Sequence, residues 1–391
     1  MSAAHDTPSA RELRELFDRP GAPTFGVEEE VMVLDPQTLD LAPRAAELLA
    51  AAPQRDGLKL ELPASQLESI SAPHEDVGAL LADLQAGRMR LARAASGSAR
   101  LAAAGAHPFA RADGELNGGE RNERLQREYG PVARRQLVCG LHVHVRLSGA
   151  ARVLSVYNAL RAHLPELAAL GANAPLRDGR DCGMASVRPL ISAMLPRQGV
   201  PPVYESWQAL AHDLEWGNRA GRLQRLAGWW WELRLHAELG TIEVRVPDAQ
   251  STVGDAGALI ATTCALVLWL AERHDAGELA APAPSWRIAE NRWSAARDGV
   301  HGSMIDLDTG AVGPTRERLH ALLESLLDVG GRIGARDCLD HAHALAEQNG
   351  ADRQRAIAAD AGALGVAEAL SAAFLPDAPA RGGEHAGHDR V

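Results

Sequence analysis

The sequence predicts an α+β fold, a curved and mainly antiparallel sheet with one polar face and helices packed behind the other. Three observations predict it. Strand-like segments alternate between apolar residues and charged or imidazole residues. Long helical patterns are interleaved with them, without the regular βαβ alternation of a doubly wound sheet. No linker or internal repeat divides the chain, so one domain is expected over 24–375, with an N-terminal extension over 1–23 and a disordered tail over 376–391.

The first strand is expected in "FGVEEEVMVLDP" (25–36), where Val27, Val31 and Val33 favour strand and Asp35-Pro36 stops it. Three successive glutamates in a strand repel one another. Alternation puts Glu28 and Glu30 on one face, about 7 Å apart, and Glu29 on the other. Two carboxylates on one face suit a divalent cation that takes hard oxygen ligands. Strands are also expected at 58–62 and 66–71, joined as a hairpin by "PAS", at 136–147 and at 240–248. A short helix precedes residue 20, and helical patterns cover 76–105, 150–171, 203–215 and most of the chain from 251. The loop "RADGELNGGERNE" separates two of these regions.

Composition bounds the function. The chain has 391 residues, 46% of them apolar, and a net charge of −11 from 51 acidic and 40 basic residues. That balance argues against nucleic acid or an anionic membrane as the main partner. All but one of the basic residues are arginine, and Lys59 is the only lysine. Cys139, Cys182, Cys264 and Cys338 form no CxxC pair, which points to a reducing cytoplasm rather than a disulfide framework. The N-terminus lacks the basic-then-apolar pattern of a signal peptide. The apolar run 257–271 is short for a bilayer and is expected as a buried core helix.

Parity sorts each strand into two faces. In "LKLEL", Leu58, Leu60 and Leu62 oppose Lys59 and Glu61. In "QLVCGLHVHVRL", the apolar side from Leu137 to Leu147 opposes Gly140, His142, His144 and Arg146. In "TIEVRV", Ile242, Val244 and Val246 oppose Thr241, Glu243 and Arg245. Glu68 belongs to the partner strand of the hairpin. Solvated faces are ordinarily built of Lys, Thr, Ser and Gln. Glu, His and Arg instead suggest one cavity floor, with carboxylates and imidazole for cations and with Arg and Lys for phosphate. The chain has no GxxxxGK[ST] loop, no GxGxxG after a strand, no HExxH and no GxSxG elbow. A bound nucleotide would therefore rely on metals and arginines. The His142/His144 pair also fits a metal-dependent hydrolase on a β/α barrel, which stands as an alternative.

The segments "FGVEEEVMVLDPQTLDLAP", "LKLELPASQLES", "GAHPFA", "CGLHVHV", "ALGANAPLRDGRDCGMASVRP", "GTIEVRVPDAQ" and "ENRWSAARDG" follow one another here. In that order the chain resembles the bacterial type 2 glutamate–cysteine ligase family, the YbdK-like carboxylate–amine ligases, from about residue 24 to 360. The resemblance implies a glutamine synthetase-like fold and ATP-dependent amide formation. In that reaction the glutamate γ-carboxylate attacks the γ-phosphate of ATP, and the amine of cysteine displaces phosphate from the acyl phosphate. It implies Glu28, Glu30, Glu61, Glu68, His142 and Glu243 as ligands of two or three Mg²⁺ ions, with Mn²⁺ as a substitute. Arg245 would meet the transferring phosphoryl group beside Glu243. Lys59 and Arg121 would be further nucleotide contacts, and Arg188, Asn291 and Arg292 substrate contacts. The tryptophans of "GWWWELRL" (228–235) are expected in the core. Small-molecule amino acids are the expected partners, with a homo-oligomer as a family-level expectation.

The chain departs from the family pattern at Ala174, Cys182, Glu232 and Asn122, several of them in segments expected to form the acceptor or nucleotide pocket. One metal rarely takes two imidazoles from the same strand face, and His142 is the assigned ligand. His142→Ala is therefore expected to cost far more activity than His144→Ala, which steady-state kinetics of the two variants would check.

Overall fold

Strand β1 (Thr24–Leu34) organises the main sheet of a computed structural model that describes residues 7–220 and 228–375. It runs eleven residues until Asp35, whose carboxylate accepts from the Gln37 and Thr38 amides and turns the chain. The hairpin of β2 (Leu58–Leu60) and β3 (Gln66–Ile70) lies on one side of β1. On the other side, β4 (Arg100–Ala102) pairs with its last residues and β5 (Leu141–Arg146) with its first. After a small separate ladder of β6 (Leu176–Arg177) and β7 (Arg180–Asp181), β8 (Leu233–His236) and β9 (Thr241–Val244) complete the sheet beyond β5. Its order is β2-β3-β1-β5-β9-β8, with every pairing antiparallel. The expected α+β class holds, and the open antiparallel sheet removes the β/α barrel that a hydrolase of the alternative kind needs. A last hairpin, β10 (Ser303–Ile305) and β11 (Val312–Pro314), stands apart.

Helices cover the apolar face. Helix Val253–Asp275 starts at Thr252, whose hydroxyl accepts from the Asp255 amide, and is buried along most of its length. It is longer than the run predicted from hydropathy, and by length and composition it could cross a bilayer. Burial within the core accounts for its composition instead. Helix Ala10–Phe17, within the expected N-terminal extension, inserts Leu13 and Phe17 into the same core, with Phe17 stacked on Trp207 at 5.0 Å. The tail expected over 376–391 lies outside the described residues.

Several elements differ from expectation for identifiable reasons. The helical pattern over 76–105 ends at Ala95, and a turn releases 100–102 to pair with β1. Expected as one helix, 150–171 breaks at a 3-10 turn, Arg161–His163, just before Pro165. The end of the glycine-rich loop forms helix Glu120–Tyr129. The tryptophan run conceals β8, whose Leu233 and Leu235 are buried while Arg234 and His236 face the other way.

Two apolar clusters meet at one buried ion pair. Val27 and Leu84 belong to the larger cluster, and Val31 and Leu91 to the smaller. Between them on β1 sits Glu29, and between them on helix Val77–Ala95 sits Arg88; both side chains are fully buried. The guanidinium donates to both Glu29 oxygens, at 2.9 and 2.6 Å. Its remaining hydrogens go to the carbonyls of Gln250, Ser251 and Phe374, and it lies 4.8 Å from the Phe374 ring. One side chain thus joins β1, helix Val77–Ala95, the segment after β9 and the end of the last helix. Removing one member of such a pair costs about 3–5 kcal/mol, because the other charge stays buried. Arg88→Ala is expected to reach that range in urea unfolding. Glu29→Gln should cost a comparable amount, since the guanidinium stays charged and buried and one of its donors meets the amide NH2.

Candidate active site

The strand register assembles the polar floor. Across β1 and β5, Glu28 stands opposite His142; across β1 and β3, Glu30 stands opposite Glu68. Lys59 pairs in register with Glu68, His144 with Glu243, and Glu243 with Arg234. The polar faces inferred from parity are neighbours on one sheet. Gly140 continues the row because it has no side chain: a Cβ there would lie 2.3 Å from the Arg188 guanidinium and 2.9 Å from His142 Nε2.

A cavity of about 510 Å³ opens above this face. Its lining includes Glu28, Glu30, Lys59, Glu61, Glu68, Arg121, His142, Arg188, Arg245 and Arg292 from the sequence-derived set. Glu243 lies beneath the surface, fully buried between Arg234 and Arg245, both of which bond to it. Asn291 is not on the lining. Its amide clamps the Ile305 backbone with two 2.7 Å hydrogen bonds, a structural role. Arg292 is held by Glu232 through three contacts of 2.7–3.0 Å. Arg188 donates to the carbonyls of Arg245 and Val246 and leaves its Nε buried without a partner. Arg121 makes no hydrogen bond or ion pair with a described residue and is exposed at the cavity wall.

Among the described residues, three ligand groups are close enough to hold cations: Glu28, Glu68 and His142; Glu28, His144 and Glu243; and Glu30, Glu61 and Glu68. In each, the donor atoms lie within 4.8 Å of one another. The Nε2 atoms of both histidines are buried without a hydrogen-bond partner. That is the arrangement of ligands with a lone pair aimed at a site. His144 was assigned no ligand role from sequence. It does form a hydrogen bond through Nδ1, 2.9 Å from the Thr241 hydroxyl, but its Nε2 then faces Glu28 at 3.5 Å and Glu243 at 4.0 Å. Its parity with His142 is the signal for this, and with one imidazole in each of two groups the geometry gives no ground for His142→Ala to cost far more than His144→Ala. Arg234 and His236 were also missed, because a three-tryptophan run hid the period-two pattern of β8.

The electrostatics divide the floor. Burial, and then Glu61, push the Glu30 carboxyl up to about 7, and burial with Glu61 and Glu28 raises Glu68 well above the carboxylate range. These groups are short of positive charge, which a divalent cation would supply. Burial and the Arg245 charge push His142 down to about 3, leaving a neutral imidazole of the kind that ligates metal. Although burial opposes ionisation of Glu243, the Arg245 and Arg234 charges hold it below the usual range. Lys59 bonds Glu68, and despite burial the Glu68 and Glu61 charges hold its ammonium above its ordinary value.

Of the four departures from the family pattern, Glu232 alone lines the cavity. Asn122 bonds the Asn117 carbonyl, the Cys182 thiol donates to the Pro175 carbonyl, and Ala174 is buried.

Comparison with known proteins places this architecture. A protein of Rubrobacter xylanophilus, provisionally named glutamate–cysteine ligase 2-3, is 37% identical over 350 residues, covering 87% of this chain and 94% of that protein. One from Thermobifida fusca, provisionally named glutamate–cysteine ligase 2, is 34% identical over 372 residues, covering 93% of each. Among solved structures, the Francisella tularensis glutamate–cysteine ligase in complex with AMP superposes with a TM-score of 0.68 at 12% identity, covering 91% of this chain and 89% of that one. The bifunctional glutathione synthetase of Pasteurella multocida gives 0.63 at 15% identity, covering 93% of this chain and 53% of the other. These two share the fold. The profile of glutamate–cysteine ligase family 2 matches residues 24–372, and the chain belongs to that family.

Proposed function

We propose that the protein is an ATP-dependent carboxylate–amine ligase that joins the γ-carboxylate of glutamate to the amine of cysteine through an acyl phosphate. The observation that carries this reading is the set of three overlapping carboxylate and imidazole groups on one floor, bordered by arginines and Lys59. Two anions, a carboxylate and a triphosphate, must be brought together in such a reaction. When bound, Mg²⁺ in two or three ions, or Mn²⁺ in its place, would neutralise phosphate charge and orient the oxygens. Glu28, Glu30, Glu61, Glu68, Glu243, His142 and His144 are the residues that fit it.

The remaining roles belong to cations of the chain. Arg245, fixed on Glu243, would stabilise charge on the transferring phosphoryl group, and the pair supports this reading by orienting it in advance. Arg188, anchored on backbone carbonyls beside the floor, is suited to a substrate carboxylate. Arg121, lacking a partner among the described residues, is the wall cation readiest to meet an incoming anion. Arg292 already neutralises Glu232, so its part is to shape the wall. The Francisella ligase of the same fold carries AMP, in keeping with a nucleotide in this cavity.

The test is ADP release by the purified protein with ATP and Mg²⁺, scanning amino-acid pairs from glutamate plus cysteine. The expected result is ADP only when both are present, with γ-glutamylcysteine as product. ADP with another pair would keep the chemistry and change the substrates, whereas no ADP with any pair would remove the ligase reading. A second expectation concerns the metals. Glu28 belongs to two of the three ligand groups and Glu61 to one. Mn²⁺ counted by electron paramagnetic resonance in the presence of nucleotide should therefore fall further in Glu28→Gln than in Glu61→Gln. Equal losses would contradict the shared-ligand arrangement.

A further inference from the structure

Helix Glu120–Tyr129 forms one wall of the cavity without being fastened to the core. Arg121, Leu125 and Tyr129, spaced at i, i+4 and i+8, all line the cavity, while Asn122 is the helix's one buried residue. A glycine with positive φ flanks each end, Gly119 at +115° and Gly130 at +56°, and neither meets a neighbouring atom that a Cβ would touch. So exposed a helix needs ties. At its start, Asn122 donates to the Asn117 carbonyl at 3.1 Å. At its end, the Tyr129 hydroxyl accepts from Arg197 Nη2 at 2.9 Å, and the ring packs edge-on against Trp230 with centroids 5.6 Å apart. Arg197 lies 5.4 Å from the Trp230 ring, and its Nε donates to the Gly228 carbonyl at 3.2 Å. It therefore ties together three segments distant in sequence. It does so from a backbone φ of +59°, a left-handed conformation that is strained for a non-glycine residue.

We propose that Arg197 is a positioning residue that clamps this helix over the floor, so that the activated carboxyl reacts with the amine and not with water. The inference rests on the ligase reading. In the productive step the amine nitrogen forms a C–N bond to the acyl carbon and the acyl C–O bond breaks. Phosphate leaves with the electron pair, and the amine's proton passes to solvent. When water takes the amine's place, the same C–O bond breaks and the free acid returns with phosphate, after ADP has already formed. A loosened wall admits water to that step, and its signature is ADP formed in excess of amide.

The test uses Arg197→Gly, because glycine adopts the left-handed conformation without strain and the variant keeps its backbone. Tyr129→Phe removes the accepting oxygen and keeps the ring. Both are expected to raise the ratio of ADP to amide severalfold over wild type with thermal stability retained, and Arg197→Lys should restore part of the coupling. Backbone hydrogen exchange over 120–129, measured without substrates, should quicken in both variants. If exchange there is unchanged, the clamp is overturned whatever the activity. Quickened exchange with a wild-type ADP-to-amide ratio would overturn the coupling role. A wild-type protein that turns over no amino-acid pair would instead overturn the ligase reading on which that role rests, leaving exchange to decide the clamp.

Discussion

The site depends on the buried pair of Glu29 and Arg88. Strand β1 carries three glutamates in succession, and a slip of one residue would turn Glu28 and Glu30 toward the apolar core and Glu29 toward the cavity. Arg88 admits one of these arrangements. It sits on the helix behind the sheet, its donors are all directed, and the carboxylate that meets it must come from the core-facing side of β1. A buried ion pair adds little net stability by itself, since desolvation offsets most of the attraction. Its value here is register. The charge that would be most costly to leave unpaired fixes which two carboxylates face the substrate.

Register then propagates across the sheet. β1 is paired on both sides, so its position sets that of β3 and β5, and through β5 that of β9 and β8. Glu68 comes to stand beside Glu30 and His142 beside Glu28, although the four positions are scattered over more than a hundred residues of chain. The resulting floor is uneven in charge. Around Glu243 two arginines compensate one carboxylate, while around Glu30 and Glu68 carboxylates outnumber the single ammonium of Lys59. Arginine charge holds Glu243 ionised, whereas burial and neighbouring carboxylates push Glu30 and Glu68 toward the protonated form.

What the sequence made legible follows from this construction. Parity within a strand is a local property, so the polar faces of 28–30, 59–61, 142–144 and 243–245 could be read directly. That they form one surface required the pairing, which is not local. β4 escaped notice because three residues are too few to show a period, and β8 because tryptophans mask the alternation of Arg234 and His236. Glu29 read only as the residue pointing the other way, since nothing near it in sequence names Arg88, fifty-nine positions on. Asn291, drawn into the site by its motif, belongs instead to the support of the hairpin at 303–314. A motif records that residues travel together, and packing can be the reason as readily as chemistry.

Floor and walls are built on different terms. The floor consists of hydrogen-bonded strands whose register sets the spacing of its side chains. The walls come from an exposed helix, from the turn that carries Arg197, from the segment of Trp230 and Glu232 and from helices Arg188–Ser192 and Ser285–Asp298, none of which belongs to the sheet. Leu125, Tyr129, Leu190, Trp230 and Trp293 give these walls an apolar and aromatic surface above an ionic floor. Substitution there changes the shape of the cavity without disturbing the ionic floor. Glu232, the departure from the family pattern that reaches the cavity, stands in the walls, while every candidate metal ligand stands in or next to a strand of the floor. A cavity built this way can change its walls while its floor stays as the register set it.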